Sequence, residues 1–164
     1  MRKRNYLHQY TWANIKSMIR NSTLSPEICP DLFTGNLVVI TGTTSGIGYE
    51  TARLYASRGA DILCINRNEE KSRSFLKEIE SEFGVNCSYK IADFNSLEDT
   101  RRISTELLNM DRPIDVLIHN AGTYKTRKEF TSDGIESVFM VNYLSSFIMT
   151  YMLLDKLKEQ EKCR

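Results

Sequence analysis

The chain has 164 residues, the size of one domain, with 41% hydrophobic and 26% charged residues. Lys and Arg number 22 against 21 Asp and Glu, so the net charge of +1 offers no electrostatic basis for binding nucleic acid. No apolar run approaches the about 20 residues that a membrane-spanning helix needs, and the basic N-terminus lacks the apolar stretch of a secretory signal.

Residues 1–20 carry five cations (Arg2, Lys3, Arg4, Lys16, Arg20) and no acid. Trp12, Ile15 and Ile19 recur at helical spacing, which predicts a short basic amphipathic helix over roughly residues 6–20. Two readings stand for it. It packs on its own domain or a partner chain, or it attaches to an anionic membrane surface. Residues 21–30, with Ser, Thr and two prolines, read as a linker, so residues 1–30 are set apart from a domain over 31–164.

From Asp31 the pattern becomes regular. Strands are predicted at 37–41, 61–65, 86–92 and 115–119. Helices are predicted at 46–58, at 69–83 closed by Gly84, and at 97–109 capped by Ser96. A long last helix starts at a Ser132 or Asp133 cap and runs to 159. Strands alternating with helices predict an α/β fold with a parallel, doubly wound sheet. The four cysteines (Cys29, Cys64, Cys87, Cys163) form no C-x-x-C pair. Cys64 and Cys87 fall in strands as small buried residues, and a reducing intracellular compartment is expected, cytoplasmic or peripheral to a membrane.

The chemistry concentrates after the first strand, in Thr41-Gly42-Thr43-Thr44-Ser45-Gly46-Ile47-Gly48. Strand, glycine turn and helix in that order form the place where α/β proteins hold a dinucleotide pyrophosphate. Gly42 permits the tight turn, Gly46 the close approach of backbone to phosphate, and Gly48 close packing of helix on sheet. The second strand ends Asn66-Arg67, without the acid that bonds the ribose hydroxyls of NAD. A guanidinium there can pair with a 2′-phosphate, which favours NADP over NAD.

These residues resemble the short-chain dehydrogenase/reductase family, and within it the retinol-dehydrogenase-like members. Thr41 to Gly48 matches T-G-x-x-x-G-[IL]-G in full. His119-Asn120-Ala121-Gly122 matches N-N-A-G except at its first position, and His119 is assigned no catalytic role. Val141-Asn142-Tyr143 matches the helix that carries the family's active-site Asn. The resemblance spans about residues 31–158 and implies a Rossmann-type sheet. It implies a cofactor site built from Gly42, Thr44, Ser45, Gly46, Ile47, Gly48, Asn66, Arg67, Asp93, Asn120, Ala121 and Gly122. Asp93 takes the role of the acid that contacts the adenine amino group, and Asn142 that of the catalytic-site Asn that holds a water. The implied reaction is hydride transfer between NADP and a lipophilic alcohol or carbonyl.

The family's Ser and Tyr-x-x-x-Lys follow the Asn helix, on the next strand and helix. Here Tyr124 precedes Lys128 at the right spacing but ahead of that helix, and Tyr151 is followed by Asp155. The chain is therefore expected to be the cofactor-binding half of a reductase, truncated after the fourth strand and its helix, and inactive alone. That leaves the fourth strand at an open edge, where a second copy or another chain can pair. The alternatives are a non-catalytic NADP-binding or partner-binding module, or a nonfunctional remnant.

Overall fold

The computed structural model describes residues 12–24, 30–160 and 163. They belong to two compact units, residues 1–31 and 32–164. In the first, helix α1 spans Trp12–Thr23. The predicted start at 6–11 lies outside the described residues, as do 25–29 of the predicted linker. Residues 21–23, expected as linker, are helical. The Ser22 and Thr23 hydroxyls donate to the carbonyls of Ile19 (2.7 Å) and Arg20 (2.8 Å), and so tie down the last turn.

The second unit is a four-stranded parallel sheet in the order β3-β2-β1-β4. Its strands are β1 (Leu37–Thr41), β2 (Asp61–Asn66), β3 (Cys87–Ile91) and β4 (Val116–Ile118). Helices α2 (Gly46–Ser57), α3 (Glu69–Phe83) and α4 (Leu97–Leu108) join them, and α5 (Ser137–Glu159) follows β4. Strand β1 is buried along its whole length, as a parallel strand covered on both faces must be. Its side chains alternate between two cores. Leu37 and Val39 join Leu63, Ile65, Ile103, Leu107, Met149 and Leu153 beneath α4 and α5. Val38 and Ile40 join Ala52, Ala56, Ile62, Cys64, Phe75 and Ile79 beneath α2 and α3. Cys64 and Cys87 lie in this second core. The hydrogen bond between their thiols pulls Cys64 down from its ordinary pKa and, with burial, pushes Cys87 up.

The helix boundaries follow local chemistry. Asn68 and Ser96 accept the N–H of Lys71 (2.8 Å) and Asp99 (3.1 Å) at the N-termini of α3 and α4. Gly84, at φ 66°, ends α3 in the left-handed conformation. The last helix departs from expectation. It begins at Ser137, because residues 131–135 close a turn on Thr131 instead. The Thr131 N–H donates to the Ile135 carbonyl at 2.8 Å, and Gly134 sits at φ 73°. Glu136 supplies the cap, its carboxylate accepting the Phe139 N–H at 2.7 Å. Within α5, residues Met140–Leu144 form a π turn.

Two features of α5 matter later. By length and composition it is long and apolar enough to cross a membrane, an 18-residue window of it having a mean hydropathy of 1.5, which corrects the expectation that no segment is. Its Ser, Thr and Asn residues break up the apolar run in the sequence without lowering the average enough. Here α5 packs on α4, with Met140, Met149 and Leu153 fully buried. On its other face Phe139, Tyr143, Phe147 and Tyr151 are exposed, their rings stacked in series. Strand β4 pairs with β1 alone among the described residues, and so forms an edge.

Leu153, with none of its surface exposed, sets the test of this packing. Leu153→Ala is expected to lower unfolding free energy by about 2–5 kcal/mol in denaturant titrations. A loss below about 1 kcal/mol would mean that α5 is not docked on the sheet.

Candidate functional site

The strand order reverses between β1 and β4, so the two crossovers leave this pair in opposite directions and open a crevice at the carboxyl ends. Side chains at the two strand ends hold the crevice in shape. Buried Thr41 accepts, on one hydroxyl oxygen, the N–H groups of Asn120 (3.0 Å) and Ala121 (2.9 Å). The Asn120 amide returns the link, donating to the carbonyls of Thr41 (3.0 Å) and Gly42 (2.9 Å). Gly42 takes φ 75° there, and Gly48 packs so closely that a Cβ would stand 2.1 Å from the Gly42 oxygen and 2.3 Å from the Asn120 amide nitrogen. A second polar pair steadies the turn from the other side. The Asn66 amide oxygen accepts the Thr43 N–H at 2.8 Å, and its nitrogen donates to the Thr43 hydroxyl at 3.0 Å.

Around this turn lies a cleft of about 690 Å³. Gly42, Thr44, Ser45, Ile47, Gly48, Asn66, Arg67, Asp93, Asn120, Ala121 and Gly122 all line it. Gly46 does not. It borders a shallower depression with Glu50 and Leu54 on the outer side of α2. Asn142 does not line the cleft either. Its amide oxygen accepts the Thr123 N–H (2.7 Å) and its nitrogen donates to the Thr123 carbonyl (2.9 Å), so it fixes the loop after β4 from behind. Asn66 and Asn120 reach the cleft with their amides engaged by the protein, which makes them positioning residues. Five polar residues of the lining escaped the sequence reading: Asn68, Lys71, Asn95, Thr123 and Lys125.

The charges are sorted along the cleft. Arg67 and Lys71 are exposed at the end of β2 and the start of α3, and neither forms an ion pair among the described residues. Asp93 lies beyond them, after β3. One of its carboxylate oxygens accepts the Asn95 N–H at 3.0 Å, and its own N–H donates to Asp99 at 2.8 Å. That N–H, with Arg102 beside it, holds the Asp99 carboxyl below its ordinary value. At the opposite end, Lys125 is ion-paired with Glu129.

The first turn of α2 has no side-chain cap at Ser45, so its N–H groups face the cleft uncapped. Uncapped amides, two unpaired cations and a volume of this size fit a dinucleotide.

Fold and cleft together define a Rossmann-type dinucleotide-binding protein of the doubly wound class. The chain belongs to the short-chain dehydrogenase family, whose profile it matches over residues 36–164, and it is retinol-dehydrogenase-like. It is 35% identical to human retinol dehydrogenase 13 over 139 residues, 83% of this chain and 42% of that protein. Mouse retinol dehydrogenase 12 is 36% identical over 131 residues, 79% of this chain and 42% of that one. A short-chain dehydrogenase from Sphingobium yanoikuyae, solved in complex with NADPH, superposes with a TM-score of 0.66 at 27% identity. That match covers 74% of this chain and 48% of the other. The chain thus spans less than half the length of each of these relatives.

Two variants probe the site. Gly48→Ala forces its Cβ onto backbone, and is expected to cost about 1–3 kcal/mol of stability and to weaken dinucleotide binding. Melting temperature and calorimetry check it, and an unperturbed variant would contradict the close packing. Because the folded pKa of Asp99 is depressed, its stabilising effect is present above about pH 3.9, the unfolded value, and is lost as pH falls through the folded value. In pH scans of melting temperature, Asp99→Asn is expected to remove part of the acid-induced loss.

Proposed function

We propose that the cleft binds NADP(H) in preference to NAD(H), and that it serves hydride transfer between the nicotinamide and a lipophilic alcohol or carbonyl. The observation that carries the preference is the pair of unpaired cations, Arg67 at the tip of β2, where an NAD site has an acid, and Lys71 in the first turn of α3. The uncapped amides of α2 receive the pyrophosphate, and Asp93 keeps a carboxylate oxygen for the adenine amine. Gly122 and Ala121, with little bulk, leave room beside β4 for the nicotinamide ribose. Asn142 holds that wall in place through Thr123. When bound, the nicotinamide supplies the hydride donor or acceptor. The NADPH complex of the bacterial relative and the retinol named for the mammalian ones support this reading of cofactor and substrate class.

The proton exchange that accompanies hydride transfer needs a separate acid–base group. Among the described residues no tyrosine lines the cleft. We therefore assign these 164 residues the cofactor half of the reaction, carried out in a reducing compartment and without turnover by this chain alone. A second reading, a partner-binding module, draws on the edge strand β4 and the exposed aromatic face of α5.

Calorimetric titration of the chain with NADP(H) and NAD(H) tests the proposal. NADP(H) is expected to bind more tightly, and Arg67→Gln or Lys71→Gln to weaken it by about tenfold or more while NAD(H) affinity changes little. Equal affinities for the two cofactors would overturn the assignment. Turnover of a lipophilic aldehyde with NADPH by the chain alone would overturn the half-site reading.

A further inference from the structure

The loop that follows β4 combines cations with exposed aromatic residues. Residues 123–130 read Thr-Tyr-Lys-Thr-Arg-Lys-Glu-Phe, three cations against one acid between two aromatic residues. Tyr124 is 86% exposed and Phe130 65% exposed. Arg127 and Lys128 are exposed at the bend, and no ion pair engages them among the described residues.

The loop is held in shape at both ends. Asn142 grips the Thr123 backbone at 2.7 and 2.9 Å. At the far end the Ser137 N–H donates to the Glu129 carbonyl at 2.9 Å, and Phe130 bridges to Glu136. Between them the Lys125–Glu129 ion pair closes the loop across one turn and uses up its only acid. The display that remains is two aromatic rings flanking two uncompensated cations, on a loop whose ordering has already been met by the fold. Gly122, Thr123 and Lys125 at its base line the cleft. Whatever the loop touches therefore sits at the cleft mouth.

We propose that residues 124–130 dock on the surface of an anionic phospholipid bilayer. The occupant follows from the chemistry. The polar-edged ring of Tyr124 favours the headgroup level of a membrane, the phenyl ring of Phe130 buries apolar surface just beneath it, and Lys and Arg are attracted by an anionic leaflet. The charge pattern is complementary to such a surface. Docked this way, the chain turns the mouth of its cleft toward the phase in which a lipophilic alcohol or carbonyl is dissolved. Docking itself is independent of cofactor binding and is read separately.

The test is flotation of the full chain with vesicles of phosphatidylcholine containing about a quarter phosphatidylserine, compared with phosphatidylcholine alone. Binding is expected only to the anionic vesicles, and is expected to weaken between low and physiological salt. Neutralising both cations, in Arg127→Gln/Lys128→Gln, is expected to cost about 25-fold in partitioning, about fivefold for each charge. Tyr124→Ser/Phe130→Ser is expected to weaken binding at every salt concentration. Lys16→Gln/Arg20→Gln, in the N-terminal basic helix, serves as the control for the other cationic segment. The proposal is overturned if the chain does not float, if the loop variants bind as the parent does, or if only the N-terminal control loses binding. Calorimetry with NADP(H) on the same loop variants keeps a misfolded protein from counting as support.

Discussion

The structure depends on a polar link between two strands whose short ladder ends just where the chain departs from them. β1 and β4 run side by side for three residue pairs, and beyond them the chain departs from each in an opposite direction. Thr41 and Asn120 bind the two strand ends across that divergence with four hydrogen bonds, at 2.9 to 3.0 Å. They do so in a part of the molecule where Thr41 is 2% exposed. Each of these groups, left unpaired there, would cost about 1–3 kcal/mol, so the link is enforced more by the penalty of breaking it than by the gain of making it. The glycine turn inherits its position from the link. The Gly42 carbonyl is one of its acceptors, and Gly48 seats α2 directly on that same carbonyl.

The cleft then divides its polar groups into those the protein uses and those it leaves. Asn66, Asn120, Thr43 and the Asp93 N–H are all engaged inside the fold, and they give shape. The first amides of α2 and the side chains of Arg67 and Lys71 are left over, and they face outward. The remainder is cationic where β2 ends. That is the basis for reading a phosphate-bearing adenosine there, and it rests on the accounting of partners more than on any one residue.

The architecture was legible from the sequence because each element announces itself locally. Asn68 and Ser96 stand where helix caps are needed, Gly84 stands where a helix must end left-handed, and Leu37 to Ile40 is apolar without interruption, as a strand buried on both faces requires. The start of α5 was not legible, because Ser132 and Asp133 are both good caps and nothing in their identity reveals that Thr131 closes a turn first. The glycine-turn residues of the cleft could be named from their spacing, since backbone geometry fixes them. Lys71 could not, because a lysine in the first turn of a helix looks like any solvated charge until β2 is placed beside it. Thr41 was visible as part of the motif, but its partner lies 79 positions away, across β4. The apolar length of α5 was missed for a related reason: Ser, Thr and Asn interrupt the eye without adding charge.

The π turn at Met140–Leu144 also decides how the outer face of α5 is laid out. In an α-helix, residues spaced by four overshoot each turn of 3.6 residues by about 40°, so a row of such side chains slowly winds around the axis. A π turn holds more than four residues and undershoots instead. Phe139, Tyr143, Phe147 and Tyr151 are spaced strictly by four, and the row crosses that turn near its beginning. The two rotations oppose each other, so the four rings keep closer to a common heading along the axis than an uninterrupted α-helix would allow. The turn that carries Asn142 thus also straightens the row of aromatic rings along the exposed face of the helix.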